Sequence, residues 1–390
     1  MGVLEQGRLR ANPAYELALL ERLAPGERAL VAEAEDGDVY GVLRPRPGSA
    51  LELRTASSET ALLFLTLAEP GPLPEYVRAR LGAEVDRTIG RLVLDGVLEL
   101  EQAEGFVSGA AAARFLLPER SDGGRGRIGE LSIAALRYGQ ELGEVDESLL
   151  AMRLYLYGRL PISPALRSRW ADETAVASYI GVLPGGAARA ALEEGWIEGQ
   201  EGEGRAYWRS WQPRATSAGK PARGGARYKL YVSPGIEALP EAVLAVAAGL
   251  RGAPGLSAFK VGRDISGICR PDKLVVYFDR LDDLRRAAEA LRERLGGCAA
   301  HGVPFSAAIA ADGLLSWGSD PPRESTAAGS RSWRLWIAER LAEYLVRGRR
   351  SDSDGPPPWR FALERLSLAG VDTDTWAPTS GIWPAAKAGG

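Results

Sequence analysis

The chain has 390 residues, enough for two or three domains with cores of their own, and it is 45% hydrophobic and 25% charged with a net charge of −3. That balance is globular and excludes a generally basic nucleic-acid binder, though not a local basic patch. Cys269 and Cys298 are too few for a disulfide framework or a zinc site, and with His301 the only histidine, acid–base chemistry falls to Lys, Tyr, Asp or Glu.

Residues 1–117 read as a winged helix-turn-helix. VYGVLR (39–44) and ALELR (50–54), joined through Pro45, Pro47 and Gly48, form a hairpin. Ser57 or Ser58 caps a buried helix continuing as ETALLFLTLAE. PLPEYVRARLG (72–82) and VDRTIGRLVLDG (85–96) are two further helices, stopped by Gly82 and Gly96. VLELE and GFVSG close the domain as a second small hairpin.

Residues 126–211 are mostly helical. RIGELSIAALRYGQEL (127–142) repeats apolar residues at helical spacing, a second helix ends at Pro161, and WIEGQEGEGRAYWRSW (196–211) is a hairpin. Residues 212–227, rich in Gly, Pro and Arg, read as a linker or mobile loop. From 228 to 390 the pattern is a mixed sheet with flanking helices and a C-terminal helical tail, so the chain as a whole is expected to be α+β. With no apolar run able to span a bilayer and no charged-then-apolar N-terminus, a cytoplasmic location is expected.

Three strands in this last region share a face. Side chains alternate along a strand. YKLYVS (228–233), AFKVG (258–262) and KLVVYF (273–278) therefore turn Leu230, Val232, Phe259, Val261, Leu274 and Val276 one way. The same alternation sends Lys229, Tyr231, Lys260, Lys273 and Tyr277 the other way. A face this cationic suits a phosphate, although a solvated outer face carries lysines too. His301, in the turn HGVPF, reads as structural, Trp333 and Trp336 as core anchors, and Asp372 and Asp374 as turn or cap residues.

The order of these segments resembles the phosphothreonine lyases of bacterial type III effectors. More closely, residues 127–380 resemble the Hop-type plant-pathogen effector family, whose relatives act as lyases in lanthipeptide and thioamitide biosynthesis. The segments that carry this are LSIAALRY, MRLYLYGRLP, YKLYVSP, FKVG, RPDKLVVYF, HGVPF, GLLSWGSDPP and SWR. Residues 36–110 resemble the winged helix with which such enzymes hold precursor leader peptides.

The resemblance implies elimination of phosphate from phosphoserine or phosphothreonine of a ribosomal precursor peptide, giving dehydroalanine or dehydrobutyrine with neither metal nor nucleotide cofactor. It puts Lys229 at the position of the general base. Tyr231 stands where the family has a histidine acid, a departure from the pattern. Lys260, Arg270 or Arg263, Tyr277, and arginines drawn from Arg323, Arg331 and Arg334 would hold the phosphate. The leader would add as a strand beside Val39, Tyr40 and Val42, or beside Leu51 and Leu53. The implied partners are the phosphorylated precursor with its leader, a separate kinase and a cyclase, with no nucleic acid and no membrane. A rival reading is a non-catalytic peptide- or kinase-binding partner in the same pathway, for which the tyrosine at 231 is the sign. A DNA-binding regulator is disfavoured, because VDRTIGRLVLDG sets two aspartates against its two arginines.

Overall fold

The computed structural model describes residues 7–33, 38–49, 51–116, 126–143, 145–199, 207–214, 227–320, 332–349, 355–379 and 382. By their contacts the residues fall into two units, Met1–Asp122 with Arg340–Ala369, and Gly123–Glu339 with Gly370–Gly390. Both helices and sheets build the chain, so the class is α+β. Among the described residues no helix is long and apolar enough to cross a membrane.

In the first unit, β1 (Arg8–Ala11), β5 (Gly71–Pro72), β6 (Leu98–Gln102) and β7 (Gly105–Val107) form an antiparallel sheet in the order β5-β1-β6-β7. A second sheet places β3 (Val39–Pro45) between β2 (Tyr15–Leu19) and β4 (Arg54–Ser57). Gly41 is required there, since a Cβ would stand 2.5 Å from the Ala18 carbonyl oxygen of the adjoining strand. Three helices follow β4: Ser58–Thr66, Glu75–Leu81 and Val85–Leu94. The Ser57 hydroxyl accepts the Thr60 N–H and caps the first, while Gly82 and Gly96 end the others at φ of +51° and +76°. The expected partner of VYGVLR is displaced: residues 51–53 are irregular and pairing begins at Arg54. β1 and β2 lay in stretches that the sequence reading left unassigned.

The reading also gave residues 228–390 to a single domain. The contacts instead put Arg340–Ala369 with the N-terminal residues, where Phe361, Ala362 and Leu366 are buried and an ion-pair network is formed. Asp95 follows the helix Val85–Leu94, and Arg365 holds its carboxylate with two bonds, of 2.9 and 2.7 Å. Arg347 donates to it from 3.2 Å and Arg54 lies at 3.7 Å. Burial pushes the Asp95 carboxyl up, but the Arg365 guanidinium and its neighbours outweigh this and hold it below the usual range.

In the second unit, seven strands form one antiparallel sheet: β8 (Trp196–Glu198), β9 (Trp208–Pro213), β10 (Arg227–Val232), β11 (Leu256–Gly262), β12 (Leu274–Phe278), β13 (Ala307–Ala308) and β14 (Leu315–Asp320). Their order is β13-β14-β10-β12-β11-β9-β8. The expected hairpin of the middle region thus supplies two strands to this sheet rather than belonging to a separate helical body. One face packs on the helices Leu239–Gly249 and Leu281–Arg294, and Leu230, Val232, Phe259, Val261, Leu274, Val276 and Phe278 are buried in that core. β15 (Val371–Asp372) and β16 (Ala377–Pro378) form a small hairpin that buries Trp376 against Phe305, with 5.4 Å between ring centres. Asp372 caps its turn by accepting the Asp374 N–H at 3.0 Å. The expected linker falls largely on residues 215–226, outside the described residues.

Asp95→Asn leaves three arginines around an uncharged amide, and we expect a loss of about 3 kcal/mol of stability in chemical denaturation. A loss below about 1 kcal/mol would show that this network does not tie Arg340–Ala369 to the N-terminal residues.

Candidate active site

The register of the central strands brings the predicted cations together. Lys229 on β10 faces Tyr277 on β12 and Gly318 on β14, and Tyr231 faces Val275 and Ser316. Lys260 on β11 faces Val275 on one side and Ser210 on the other. The Tyr277 ring lies 5.5 Å from Lys229 Nζ and 5.7 Å from Lys260 Nζ, so both ammonium groups stand over one phenol.

The two lysines differ in what they are tied to. Lys229 Nζ is 2.5 Å from Asp320 Oδ2, and its side chain is 11% exposed. The structure therefore does not give Lys229 the free lone pair expected of a base. Lys260 is half-buried and its ammonium stands 4.0 Å from the centre of the Trp208 ring. Among the described residues it pairs with no carboxylate. Burial, with the Lys229 and Arg270 charges beside it, lowers Lys260 to about 8, although Asp272 and Asp320 pull the other way. Burial lowers Lys273 further, to about 7, but that amine is completely buried against Pro234 and His301, so of these two lysines only the half-buried Lys260 can offer a neutral amine to a ligand.

Asp272 organises the arginines. Its Oδ1 accepts from Arg270 Nε at 2.8 Å and its Oδ2 from Arg270 Nη2 at 3.0 Å, and Arg334 Nη1 lies 2.8 Å from that same Oδ2. Arg270 Nη2 also donates to the Tyr155 hydroxyl at 2.9 Å. Arg270 Nη1 has no hydrogen-bond partner among the described residues. The guanidinium lies 5.4 Å from the Trp208 ring centre. Arg334 is only 1% exposed and donates to the carbonyls of Pro304 and Tyr155, so it braces Asp272 from behind and offers a ligand no surface. Burial pushes the Asp272 carboxyl up, yet Arg334 and Arg270 hold it far below the usual carboxylate range. Among the described residues, four cations (Lys229, Lys260, Arg270 and Arg334) against two carboxylates (Asp272 and Asp320) leave this site a surplus of two positive charges.

Other expectations are corrected. Arg263 pairs with Glu173 at 2.5 Å instead of joining the cluster. Lys273 shares the parity of Tyr277 but is completely buried, donating to the Pro234 carbonyl and standing 2.8 Å from His301 Nδ1. His301 Nε2 lies 2.6 Å from the Gly158 carbonyl oxygen, which makes it a neutral, structural imidazole with its proton on Nε2. Tyr231 is 2% exposed and packs with Val275 and Val303. Burial, then the Asp320 charge, raise its phenol well above the ordinary value, so it remains a proton-bearing donor. Arg323 and Arg331 lie outside the described residues.

Four contributors escaped the sequence reading: Trp208, Tyr155, Asp272 and Asp320. Trp208 shares the parity of Ser210, which the register sets opposite Lys260, and the Arg270-Pro-Asp272 spacing suits a local ion pair. Tyr155 lies in MRLYLYGRLP, a segment that carries the resemblance, but no local pattern singles it out.

The residues expected to hold a peptide lie in the first unit and are dispersed by it. Val42 is completely buried, Leu51 and Leu53 pack partly onto small cores, Val39 is half-buried and Tyr40 is 42% exposed. β3 is central, so VYGVLR has no free edge; among the described residues β4 pairs only with β3. A cleft of about 210 Å³ is lined by Leu51, Arg54, Leu94, Asp95, Arg347 and Phe361, among others.

No family model matches the chain, and no curated protein matches it. Solved structures do. An effector protein from Pseudomonas syringae pv. syringae is 15% identical over 65% of this chain and 99% of its own, with a TM-score of 0.41. A phosphothreonine lyase effector of Chromobacterium violaceum is 17% identical over 37% of this chain and 77% of its own, with a TM-score of 0.26. The Salmonella plasmid virulence C protein is 16% identical over 52% of this chain and 99% of its own, with a TM-score of 0.28.

Burial, and then the Lys273 charge, lower His301 to about 4 against its bond to the Gly158 carbonyl, whereas an unfolded histidine titrates near 6.5. Between these values the unfolded chain binds the proton and the folded chain refuses it. Stability should therefore fall by about 3 kcal/mol as pH drops from about 6.5 to about 4. His301→Gln should flatten that window in denaturation curves taken across pH; an unchanged slope would show that the histidine does not control it.

Proposed function

We propose that this protein is a lyase that eliminates phosphate from phosphoserine or phosphothreonine of a ribosomal precursor peptide. The observation that carries this reading is Lys260, paired with no carboxylate among the described residues and lowered to about 8, inside a site whose described residues carry two surplus positive charges. A phosphate monoester carries roughly −1.5 to −2 charges at neutral pH, which matches that surplus. The amine is the group that an α-proton transfer needs.

In the proposed reaction Lys229 and the free Nη1 of Arg270 hold the phosphate oxygens by charge-assisted bonds. Neutral Lys260 takes the proton from Cα. The electron pair of that C–H bond becomes the second Cα–Cβ bond, and the Cβ–O bond breaks with its pair on the phosphate oxygen. Lys260 ends as an ammonium, the phosphate departs, and dehydroalanine or dehydrobutyrine remains. Charge builds on the leaving oxygen, where the fixed cations stabilise it. Tyr231 donates its hydroxyl proton or a hydrogen bond to that oxygen. The base assigned here is thus Lys260, with Lys229 as a phosphate ligand.

The order of β2-β3-β4, three helices and the β6-β7 hairpin supports a winged-helix reading of the first unit. An extended leader peptide would pair with the outer edge of β4 and pack an apolar side chain against Leu51, Leu94 and Phe361. A kinase that supplies the phosphorylated precursor and a cyclase that consumes the dehydrated product are the complementary activities.

Incubated with a panel of synthetic phosphoserine and phosphothreonine peptides, the protein should release inorganic phosphate and leave peptides lighter by one phosphoric acid in mass spectrometry. Lys260→Ala should lower the rate by about 10³-fold, and Tyr231→Phe by about tenfold. The wild-type kcat/KM should rise with pH through about 8, because only the neutral amine is a base. Lys260→Ala with near wild-type elimination would refute the assignment of the base; hydrolysis to serine or threonine without dehydration would refute the reaction.

A further inference from the structure

Asp320 is the charged group of the site to which the proposed reaction gives no task. Its Oδ2 lies 2.5 Å from Lys229 Nζ, and its Oδ1 accepts the N–H of Trp333 at 2.8 Å. The second bond fixes the first. Trp333 opens the helix Trp333–Arg349, is completely buried, and lays its ring against Gly318, where any Cβ would collide with it. Gly318 in turn stands opposite Lys229 in the sheet. The carboxylate is therefore held in position by the backbone on one side and meets the ammonium on the other. With side chains 11% and 14% exposed, the pair is not one of the loose surface bridges that contribute little.

We propose that Asp320 is an internal competitor for the phosphate and a specificity-determining residue of the site. It occupies the ammonium that a phosphate needs, so binding exchanges one anionic partner of Lys229 for another. A carboxylate side chain of a peptide brings one charge and two oxygens, and gains nothing over Asp320, which is already in place. A phosphate monoester brings nearly two charges and three oxygens, enough to engage Lys229 and Arg270 Nη1 together. Specificity is a difference of affinities, and Asp320 lowers the weaker one further in proportion. Aspartate- and glutamate-bearing segments of a peptide are thereby kept out of a site that would otherwise attract any anion. The inference rests on the anion-binding part of the reading above and not on the elimination chemistry.

Asp320→Asn removes the charge and keeps a side-chain oxygen for the Trp333 N–H. Isothermal titration with inorganic phosphate and, separately, with acetate, at pH 7 and low salt, reads the effect directly. The variant should bind phosphate about tenfold more tightly than the wild type. It should also bind acetate measurably where the wild type does not. In a Lys229→Met background the same change should alter phosphate affinity less than about twofold, since no ammonium is left to compete for. Unchanged or weaker phosphate binding by Asp320→Asn, with its thermal unfolding intact, would overturn the proposal. Equal gains in both backgrounds would overturn it too, reducing Asp320 to a distant repulsive charge. Phosphate binding by neither wild type nor variant would remove the anion-site reading itself.

Discussion

The cationic site depends on one buried carboxylate, Asp272. Two guanidinium groups meet on it, and one of them, Arg334, has almost no contact with solvent. A charge so far from water costs several kcal/mol unless it is paired and hydrogen-bonded. Asp272 supplies the pairing charge at 2.8 Å from Nη1, which itself makes no hydrogen bond among the described residues, while Nε and Nη2 of Arg334 donate to two backbone carbonyls. The same carboxylate uses two of the three guanidinium nitrogens of Arg270 and so decides which one is left for a ligand. It works against Lys260, whose ammonium it favours. Burial and the neighbouring cations prevail over it, and the amine is left able to titrate near neutrality.

Alternation along the strands lets one sheet hold this assembly. Leu230, Val232, Phe259, Val261, Leu274, Val276 and Phe278 of β10, β11 and β12 are completely buried, each contributing about 1.5–3 kcal/mol. Lys229 and Lys260 lie among the residues between them. A register slip of one residue would exchange the two sets, so the apolar face fixes where Lys229, Lys260 and Tyr277 point. The aromatic rings of Trp208 and Tyr277 then limit the water that reaches Lys260. Packing energy on one side of the sheet holds a costly concentration of charge on the other.

What the sequence made legible follows from the same alternation. The periods of YKLYVS, AFKVG and KLVVYF showed which side chains share a face, and the caps at Ser57, Gly82 and Gly96 were readable because each serves the backbone next to it. Parity could not say where a face ends. Lys273 obeys the same alternation as Tyr277 yet lies beneath His301 and Pro234, where it holds loops together. Nor could it tell a paired lysine from an unpaired one. Asp320 lies 91 residues beyond Lys229, and only the pairing of β10 with β14 joins them. Trp208 reaches Lys260 through β9, which the periodicity put in a hairpin of its own. The network around Asp95 is of the same kind, since its arginines come from positions 54, 347 and 365. Local rules found the elements, and long-range pairing decided what the charged residues do.

Counting charges through the proposed reaction shows why a lysine lowered to about 8 still makes a strong base. With Lys260 protonated the site carries two surplus positive charges, and with its proton gone it carries one. A phosphate dianion beside the neutral amine then makes the total negative by about one charge. A negative surrounding favours the protonated form of a lysine, so the bound substrate itself raises the affinity of Lys260 for a proton. The proton at hand is the one on Cα; its capture adds a positive charge to Lys260 while the electron pair it leaves behind passes through Cβ to the phosphate oxygen, so the two new charges form side by side. The cations that help the free amine lose its proton and the anion that makes it want another are brought together by the same binding event. This sequence works only if the cations nearly balance the dianion. With a larger surplus Lys260 would remain a weak base after binding, and with a smaller one it would hold its proton before the substrate arrived. By pairing with Lys229, the Asp320 carboxylate keeps the surplus at that intermediate value.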